Sequence, residues 1–217
     1  MSSKKILQRH PTSILWMELN AWSEADEYEG VGYKSSVVAQ SYHESASRLF
    51  SLAPDPGAPR EVTALEQHDV SAFASALASI SSPVVKVLDF GGSVGKTYLS
   101  IKKFFPTHRF QWTIVETQEV VERLKPFERS DLSWQAGFSA ADRYDICVCN
   151  GVLQYLERGI SKLFELQEAS RTMLLNRVPL LETPTDIPFL QIVPPTIYTA
   201  AYPAWGFSKS RFLSSLS

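Results

Sequence analysis

The feature that most constrains the fold is an alternation of short apolar runs with helical segments, which begins at Pro83. The runs are rich in β-branched and aromatic residues, which is typical of buried parallel strands. Five strands are predicted, at residues 84–90, 110–116, 132–134, 144–150 and 172–176. Helices are predicted at 96–105, in a stretch ending near Pro126, and at 160–170. Repeated strand–helix units of this length predict an α/β fold with a doubly wound, mostly parallel sheet and right-handed crossovers.

The first part of the chain has a different pattern of apolar residues. This pattern predicts a helical N-terminal lobe over residues 1–82, ahead of the α/β core at 83–217. Helical spacing of apolar residues predicts helices at 35–50 and 69–81. Three prolines and a glycine within 53–60 predict a connecting loop between them. We expect no strand in this lobe.

Composition excludes several classes of protein. A hydrophobic content of 44% argues against a disordered chain, and a net charge of −2 gives no strong field for nucleic acid or an anionic membrane. No run of about 18 apolar residues or signal peptide is apparent, and Cys147 and Cys149 have the spacing of core residues on one strand face. We therefore expect a cytoplasmic protein that binds neither membrane nor nucleic acid and has no metal site.

A glycine-rich loop follows the first predicted strand, in the run DFGGSVGKT at 89–97. The dinucleotide pattern G-x-G-x-x-G fails because Ser93 and Lys96 occupy two of its glycine positions. The phosphate-binding pattern G-x-x-x-x-G-K-[ST] matches at its end, but Phe90 stands at its first glycine. The fourth predicted strand also ends in Asn150, where a magnesium-binding aspartate is expected. A nucleoside-triphosphate enzyme therefore remains an alternative.

The third interpretation is the acid-x-Gly-x-x-x-Gly loop that binds S-adenosylmethionine. Gly91, Gly92 and Gly95 allow a sharp turn and close approach of a ligand. Asp89 offers an acceptor for the ligand's ammonium group. Glu116 ends the second strand 21 positions after Gly95, where a carboxylate binds ribose hydroxyls in related sheets. A tight turn in which Glu116 only caps the next helix remains the structural alternative.

The segments VLDFGGSVGKTY, WTIVE and YDICVCNGVLQYLE resemble the core of class I S-adenosylmethionine-dependent methyltransferases. More narrowly, the chain resembles a bacterial family of methyltransferase-like proteins that is often encoded beside surface-polysaccharide genes. The landmarks of that family appear as Trp22, Ala25, Gly32-Tyr33, Asn176-Arg177-Val178-Pro179, Gln191-Ile192-Val193-Pro194-Pro195 and Tyr202-Pro203-Ala204-Trp205.

The resemblance implies a Rossmann-like core, S-adenosylmethionine as cofactor, and methyl transfer to a small-molecule or glycan-precursor acceptor. Class I sheets usually close with an antiparallel hairpin, and this chain reaches Ser217 before that hairpin could be completed. We therefore expect an incomplete C-terminal hairpin. An uncovered sheet edge favours association between copies of the chain, or a non-catalytic binding module on the same scaffold.

Candidate residues for the reaction follow the strand ends and the family segments. Asn150 is predicted to contact the cofactor or the acceptor, and Tyr155 and Arg177 are predicted beside it as catalytic residues. The predicted acceptor-binding residues are Gln154, Arg177, Gln191, Tyr198 and Tyr202. The structural alternatives are a turn for Asn150, a core position for Tyr155 and a salt bridge for Arg177.

Histidines and tryptophans supply a second, weaker set of candidates. His43 and His68 are candidate bases if the helical lobe covers the pocket, although surface positions are the simpler expectation. The tryptophans predicted as core or pocket wall are Trp112, Trp134 and Trp205.

Overall fold

The computed structural model describes residues 5–6, 8, 10–28, 32, 36–51, 64–197 and 200–216. The chain divides into two compact units that interleave along the sequence. The first unit comprises Met1–Ala39, Gly151–Leu163 and Arg177–Ser217, and the second comprises Gln40–Asn150 and Phe164–Asn176. The predicted division of the chain at residue 82 stays a prediction.

The described residues form the following strands and helices. The strands are β1 (Leu15–Glu18), β2 (Val85–Phe90), β3 (Phe110–Val115), β4 (Leu132–Gln135), β5 (Tyr144–Asn150), β6 (Ser170–Asn176), β7 (Leu180–Leu181), β8 (Ile187–Ile192) and β9 (Ala201–Ser208). The helices are α1 (Ser36–Ser51), α2 (Ala64–Leu77), α3 (Lys96–Phe104), α4 (Gln118–Leu124), α5 (Gly159–Ala169) and α6 (Lys209–Ser214).

A five-stranded parallel sheet forms the centre of the second unit, in the order β4-β3-β2-β5-β6. This confirms the predicted α/β, doubly wound fold, with strand ends within two residues of those expected. The order of the strands reverses at β2, because the chain crosses from β2 to β3 on one side and returns to β5 on the other. In such sheets ligands bind outside the carboxyl ends of the strands at this reversal.

The central strands are apolar along almost their whole length because both faces of the sheet are covered. In β2 only Lys86 is exposed, and Leu88 is fully buried. Phe73 of α2 stacks on Trp112 of β3 with 5.6 Å between ring centroids. Helix packing on the sheet therefore fixes the positions of the strand ends.

The two helices predicted in the N-terminal part are present, with different accuracy. Helix α1 has the predicted bounds within one residue, whereas α2 begins five residues earlier and ends four residues earlier than predicted. It ends at Leu77 because the next N–H groups, from Ser79 and Ile80, bond three residues back in a tighter turn. The predicted loop at 53–60 lies outside the described residues. None of the helices in the described part of the chain has the length and apolar character needed to cross a bilayer.

A second sheet lies in the first unit and corrects the expectation that the N-terminal lobe holds no strand. Its order is β1-β8-β9-β7, with β1 antiparallel to β8 and β8 antiparallel to β9. The expectation was wrong because β1 has only four residues, and a strand this short is defined by its pairing with β8 rather than by its own pattern. Trp22 stacks on Trp205 of β9 beside this sheet, at 5.1 Å between centroids.

The C-terminal hairpin, which we expected to be incomplete, concerns the edge of the parallel sheet at β6. Among the described residues no antiparallel strand joins that sheet beyond β6. The antiparallel pair β8–β9 does form, and it belongs to the second sheet.

We expect Leu88→Ala to lower the free energy of unfolding by about 2–5 kcal/mol, because it leaves a cavity in the fully covered central strand. Leu213→Ala is the matched control, since Leu213 is 51% exposed and its truncation should change stability by about 0.5 kcal/mol or less. Urea unfolding followed by circular dichroism measures both. Equal losses in the two variants would contradict the placement of β2 at the centre of the core.

Candidate active site

The glycine loop connects β2 to α3 and has a backbone that favours glycine. Gly91 and Gly95 have φ angles of +71° and +76°, in the left-handed region. Ser93, between them, has a φ of +52°, which is uncommon for a residue with a side chain. Gly95 directly precedes α3, so the loop turns the chain from the sheet edge into the helix within five residues.

Gly92 is required for a different reason, which is the carboxylate packed beneath it. A Cβ at Gly92 would overlap the carboxylate of Asp89. Asp89 is 1% exposed, and its Oδ2 accepts a hydrogen bond from Nε1 of Trp112 at 3.1 Å. The sequence analysis offered Asp89 as an acceptor for a ligand's ammonium group, and this role stays a prediction.

The pKa of Asp89 reflects this burial. Loss of hydration raises the pKa of Asp89 to about 7, against the opposing effect of the Trp112 hydrogen bond. The negative charges of Glu116 and Asp69 add to the rise in this pKa. Two further carboxylates therefore act on Asp89 near the carboxyl ends of the strands.

Glu116 extends from the tip of β3 to the glycine loop, as the sequence predicted. Its Oε1 accepts a hydrogen bond from the N–H of Ser93 at 2.9 Å, and its Oε2 accepts one from the N–H of Thr117 at 3.3 Å. Burial raises the pKa of Glu116 above its ordinary value, although these two donors oppose the rise. Glu116 is 8% exposed, and its carboxylate lies against the loop rather than only capping α4.

Trp134 of β4 holds the other backbone group of Ser93. Its Nε1 donates to the carbonyl oxygen of Ser93 at 2.9 Å, while Glu116 accepts from the N–H of the same residue. Sequence analysis assigned Trp134 to the core or the pocket wall and missed this contact. The sequence carries only a weak signal for this contact, because the residues of β4 do not indicate the direction of the indole N–H of Trp134.

A second polar group lies at the carboxyl ends of β5 and β6, where Asn150 and Asn176 are paired across the sheet. The side chain of Asp69 from α2 joins them: its Oδ2 accepts from Nδ2 of Asn150 at 3.2 Å, and its Oδ1 accepts from Nδ2 of Asn176 at 2.6 Å. The sequence predicted Asn150 as a site residue and missed Asp69. Asn176 could have been found, because it ends the fifth predicted strand as Asn150 ends the fourth.

These three side chains border a cavity of about 220 Å³ within the second unit. The remaining lining residues come from α2, α3, β5 and β6, and they are His68, Ala72, Phe73, Thr97, Val148, Met173, Leu174 and Leu175. The cavity therefore has an apolar lining with one carboxylate, two amides, one hydroxyl and one imidazole.

Several of the predicted catalytic and acceptor-binding residues lie in the first unit, where Tyr155, Gln191 and Tyr202 contact one another. The hydroxyl of Tyr155 donates to Oε1 of Gln191 at 2.8 Å, and Nε2 of Gln191 donates to the hydroxyl of Tyr202 at 3.4 Å. The rings of Tyr155 and Tyr202 meet edge to face at 5.1 Å. Gln154 is also buried, and its Oε1 has no hydrogen-bond partner among the residues that the structure describes.

Arg177 has an unusual backbone, with a φ of +55°. Its Cβ lies 3.4 Å from the position a Cβ would take at Gly151, so these two residues approach closely within the first unit. Tyr198, also predicted to bind the acceptor, lies outside the described residues.

The histidines and the other tryptophans differ in their surroundings. Nδ1 of His43 lies 3.1 Å from the carbonyl oxygen of Arg123, which joins α1 to the end of α4. His68 is largely exposed, with Nδ1 3.8 Å from Oδ1 of Asp69 at the cavity. Trp112 is buried in the sheet, and Nε1 of Trp205 donates to the carbonyl of Glu157 in the first unit.

The described residues include no group of three or more His, Cys, Asp or Glu side chains able to hold a metal ion. Cys147 and Cys149 are buried in β5 and form no disulfide. Burial raises the pKa of the Cys147 thiol well above its ordinary value, so this thiol is a core group at neutral pH.

Comparisons with known proteins find likeness only at the level of structure. Neither a protein-family model nor a curated protein sequence matches the chain. Among solved structures, it is similar to the plantazolicin methyltransferase BpumL in complex with SAH, with 16% identity and a TM-score of 0.40 over 62% of this chain and 53% of that one.

Two further structures show the same degree of likeness. The mitomycin 7-O-methyltransferase MmcR aligns at 16% identity and a TM-score of 0.45, over 70% of this chain and 47% of that one. A SAM-dependent methyltransferase of Leishmania major aligns at 13% identity and a TM-score of 0.44, over 81% and 71% of the two chains. The aligned part spans about half the length of BpumL and MmcR.

Gly92→Ala should destabilise the protein by about 1–3 kcal/mol, because the added methyl group overlaps the Asp89 carboxylate beneath the loop. Gly137→Ala is the control, since a Cβ there meets nothing within 4 Å. Thermal unfolding of both variants measures the difference. A Gly92→Ala variant as stable as Gly137→Ala would contradict the position of Asp89.

Asp89 should also give the protein a distinctive pH dependence. Because its pKa is raised to about 7 in the folded state from 3.8, the folded state binds the proton more tightly, and this contribution to stability falls as pH rises from 4 to 7. Asp89→Asn removes this titrating group. The free energy of unfolding of the variant, relative to that of the wild type, should therefore rise by up to about 1.4 kcal/mol per pH unit across that range. Urea unfolding at several pH values measures this difference.

Asp131→Asn supplies the control of opposite sign. Burial acts to raise the pKa of Asp131, but hydrogen bonds from Lys102 and Tyr98 outweigh it and hold this pKa below its ordinary value. The stability that Asp131 contributes is therefore present above pH 4 and is lost as pH falls below it. If Asp89→Asn showed the same pH trend as Asp131→Asn, the assigned burial of Asp89 would be wrong.

Proposed function

We propose that the chain is an S-adenosylmethionine-dependent methyltransferase of class I that acts on a small molecule or a glycan precursor. One observation carries this proposal: the carboxylate of Glu116, at the tip of the second strand of the parallel sheet, reaches the glycine loop that follows the first. In doubly wound sheets this is where a nucleoside lies, with its ribose on the acidic residue and the rest of the ligand over the glycines.

Glu116 retains the capacity to bind a ribose while it holds the loop. A carboxylate offers about four lone-pair positions, and the hydrogen bonds from Ser93 and Thr117 occupy two of them. The two ribose hydroxyls are donors of the kind the remaining positions accept. The loop therefore need not open for a nucleoside to bind.

The charges around the crevice favour a cationic ligand. Asp89, Glu116 and Asp69 lie close enough for the last two to raise the pKa of the first, and no Lys or Arg is among the described residues lining the cavity. S-adenosylmethionine carries a sulfonium and an ammonium group, which such a field attracts. A nucleoside triphosphate carries several negative charges, which the same field repels.

The loop geometry also disfavours the phosphate-binding alternative. Phe90, which stands at the first glycine of that pattern, is the last residue of β2 and pairs with both neighbouring strands. The loop proper therefore has only the five residues Gly91–Gly95, and a backbone held in the sheet cannot wrap a phosphate with its amides.

Bound S-adenosylmethionine would supply an activated methyl group, which an acceptor's lone pair attacks as the carbon–sulfur bond breaks. The protein's own part is alignment and exclusion of water. Gly91, Gly92 and Gly95 shape the surface under the ligand, and Glu116 fixes the ribose. Asn150, at the end of β5, is positioned to contact either cofactor or acceptor.

The other sequence-derived assignments remain predictions. They include the catalytic roles of Tyr155 and Arg177, and acceptor binding by Gln154, Gln191, Tyr198 and Tyr202. Association of copies through a sheet edge, the domain division at residue 82 and the resemblance to the surface-polysaccharide-associated family also remain predictions.

Glu116→Ala should weaken binding of S-adenosylhomocysteine by about tenfold or more, because hydrogen bonds from a ligand to a charged group contribute about 1.5–3 kcal/mol. Glu116→Gln, which keeps the shape and one acceptor, should lose less. Isothermal titration calorimetry of the full chain measures both.

Glu122→Ala, on the exposed face of α4, is the matched control and should bind as the wild type does. Binding of S-adenosylhomocysteine that is unchanged in Glu116→Ala would overturn the proposed site. Binding of magnesium-ATP that is lost in Lys96→Ala, with no binding of S-adenosylhomocysteine, would establish the nucleoside-triphosphate alternative instead. Absence of all nucleotide binding would support a non-catalytic module.

A further inference from the structure

Ser93, in the middle of the glycine loop, is held by two hydrogen bonds on successive peptide planes. Its N–H belongs to the plane shared with Gly92 and donates to Oε1 of Glu116 at 2.9 Å. Its carbonyl oxygen belongs to the plane shared with Val94 and accepts from Nε1 of Trp134 at 2.9 Å. The φ and ψ angles of Ser93 set the orientation of one plane relative to the other, so the two hydrogen bonds together fix these angles.

The backbone conformation that they fix is one that serine disfavours. Ser93 has a φ of +52°, in the left-handed region that residues with a side chain adopt only rarely. In a right-handed or extended conformation, the N–H and the carbonyl oxygen of Ser93 could not face these two partners together. One of the two donors that hold the Glu116 carboxylate is therefore available only while Ser93 stays left-handed.

Trp134 is itself fixed on several sides. It is 3% exposed and pairs with Ile114 in the parallel sheet. Its backbone N–H donates to Oε1 of Glu128 at 3.0 Å, and the ring of Phe50 from α1 meets its indole edge to face at 6.1 Å. Because the indole is held in this way, its N–H does not follow Ser93 when the loop changes conformation. The hydrogen bond therefore favours one conformation of the loop over the others.

We propose that Trp134 is a positioning residue for the cofactor, and that its indole N–H sets cofactor affinity by holding Ser93 left-handed. The inference rests on the proposed methyltransferase function and adds a residue that acts through Ser93 and Glu116. The alternative is a packing role alone, since Cζ2 of Trp134 also lies 3.5 Å from the position that a Cβ would take at Gly95.

Trp134→Phe removes the donor and keeps an aromatic ring. We expect it to weaken binding of S-adenosylhomocysteine about tenfold, because apparent affinity falls with the fraction of the protein that is in the binding conformation. Isothermal titration calorimetry of the full chain measures this, at a temperature at which circular dichroism shows the variants to be folded. Trp16→Phe is the matched control, since Trp16 lies in β1 and is 49% exposed, and it should bind as the wild type does.

Ser93→Gly separates positioning from packing. Glycine adopts the left-handed conformation without strain, so the loop no longer needs the Trp134 hydrogen bond to occupy it. In the Ser93→Gly background, Trp134→Phe should therefore weaken binding of S-adenosylhomocysteine by about twofold at most. A packing role predicts the same loss in both backgrounds, because a change at residue 93 does not alter the contacts of the indole with the core.

Arg143→Gly is the control for the relief of strain. Arg143 has a φ of +47° and directly precedes β5, so it lies at the amino ends of the parallel strands, on the edge of the sheet opposite to the loop. In this background Trp134→Phe should still weaken binding about tenfold.

Hydrogen exchange followed by nuclear magnetic resonance tests the same contact without a ligand. In Trp134→Phe the amide proton of Ser93 should exchange about tenfold faster than in the wild type, because its hydrogen bond to Glu116 needs the left-handed conformation. The amide proton of Lys86, which donates to Oδ2 of Asp145 at the other end of β2, should exchange at an unchanged rate. General destabilisation would instead accelerate both.

A measurement on the wild type keeps the test decisive if Trp134→Phe does not fold. Saturating S-adenosylhomocysteine should slow exchange of the Trp134 indole proton by about tenfold, because the ligand selects the conformation in which this proton is bonded. The indole proton of Trp16 should exchange at the same rate with and without the ligand.

The following results would overturn the proposal: unchanged affinity in folded Trp134→Phe, an equal loss in Trp16→Phe, the same loss in the Ser93→Gly background, or unchanged exchange of the protons named. Failure of the proposed function is distinguishable from these. If the wild type binds no S-adenosylhomocysteine, the transferase assignment fails, and exchange of the Ser93 amide proton in Trp134→Phe still decides whether Trp134 holds the loop.

Discussion

The hydrogen bond from the Ser93 N–H to Glu116 joins the two strand ends on which the candidate site depends. It connects the loop after β2 to the tip of β3, and Trp134 of β4 fixes the same residue through its carbonyl oxygen. Ser93 has a left-handed backbone that a serine rarely adopts, so these two contacts offset the strain. Three neighbouring strands thereby set the shape of one short loop.

The same loop explains why a carboxylate is buried below it. Asp89 fills the space that a side chain at Gly92 would need, and Trp112 supplies its donor. Burial of an acid is unfavourable, which is why its pKa rises to about 7. A neutral amide would fill the space with less loss of stability. The carboxylate differs from an amide because it titrates near neutral pH, so it adds negative charge under the loop as the pH rises through about 7.

Much of the parallel sheet could be predicted, because its strands carry their own signal. The runs at β2, β3 and β5 are apolar along their length, and the glycines and Glu116 follow them at a fixed spacing. The strand β1 could not be predicted, because an alternation of apolar and polar residues over only four positions also arises by chance. Only its pairing with β8 defines it as a strand. Asp69 was missed for a similar reason: it lies in α2, and only tertiary packing brings it to Asn150 and Asn176, 81 and 107 positions away.

The distribution of acids also bears on turnover under the proposed function. Transfer of the methyl group converts a sulfonium into an uncharged thioether, so the ligand loses one positive charge beside Asp89, Glu116 and Asp69. The field of these carboxylates therefore favours the substrate form of the cofactor over the product form. Under the same proposal Glu116 would bind the ribose equally in both forms, because the ribose does not change. Glu116 would then hold the nucleoside throughout the reaction, and the other carboxylates would favour the ligand that still carries its methyl group.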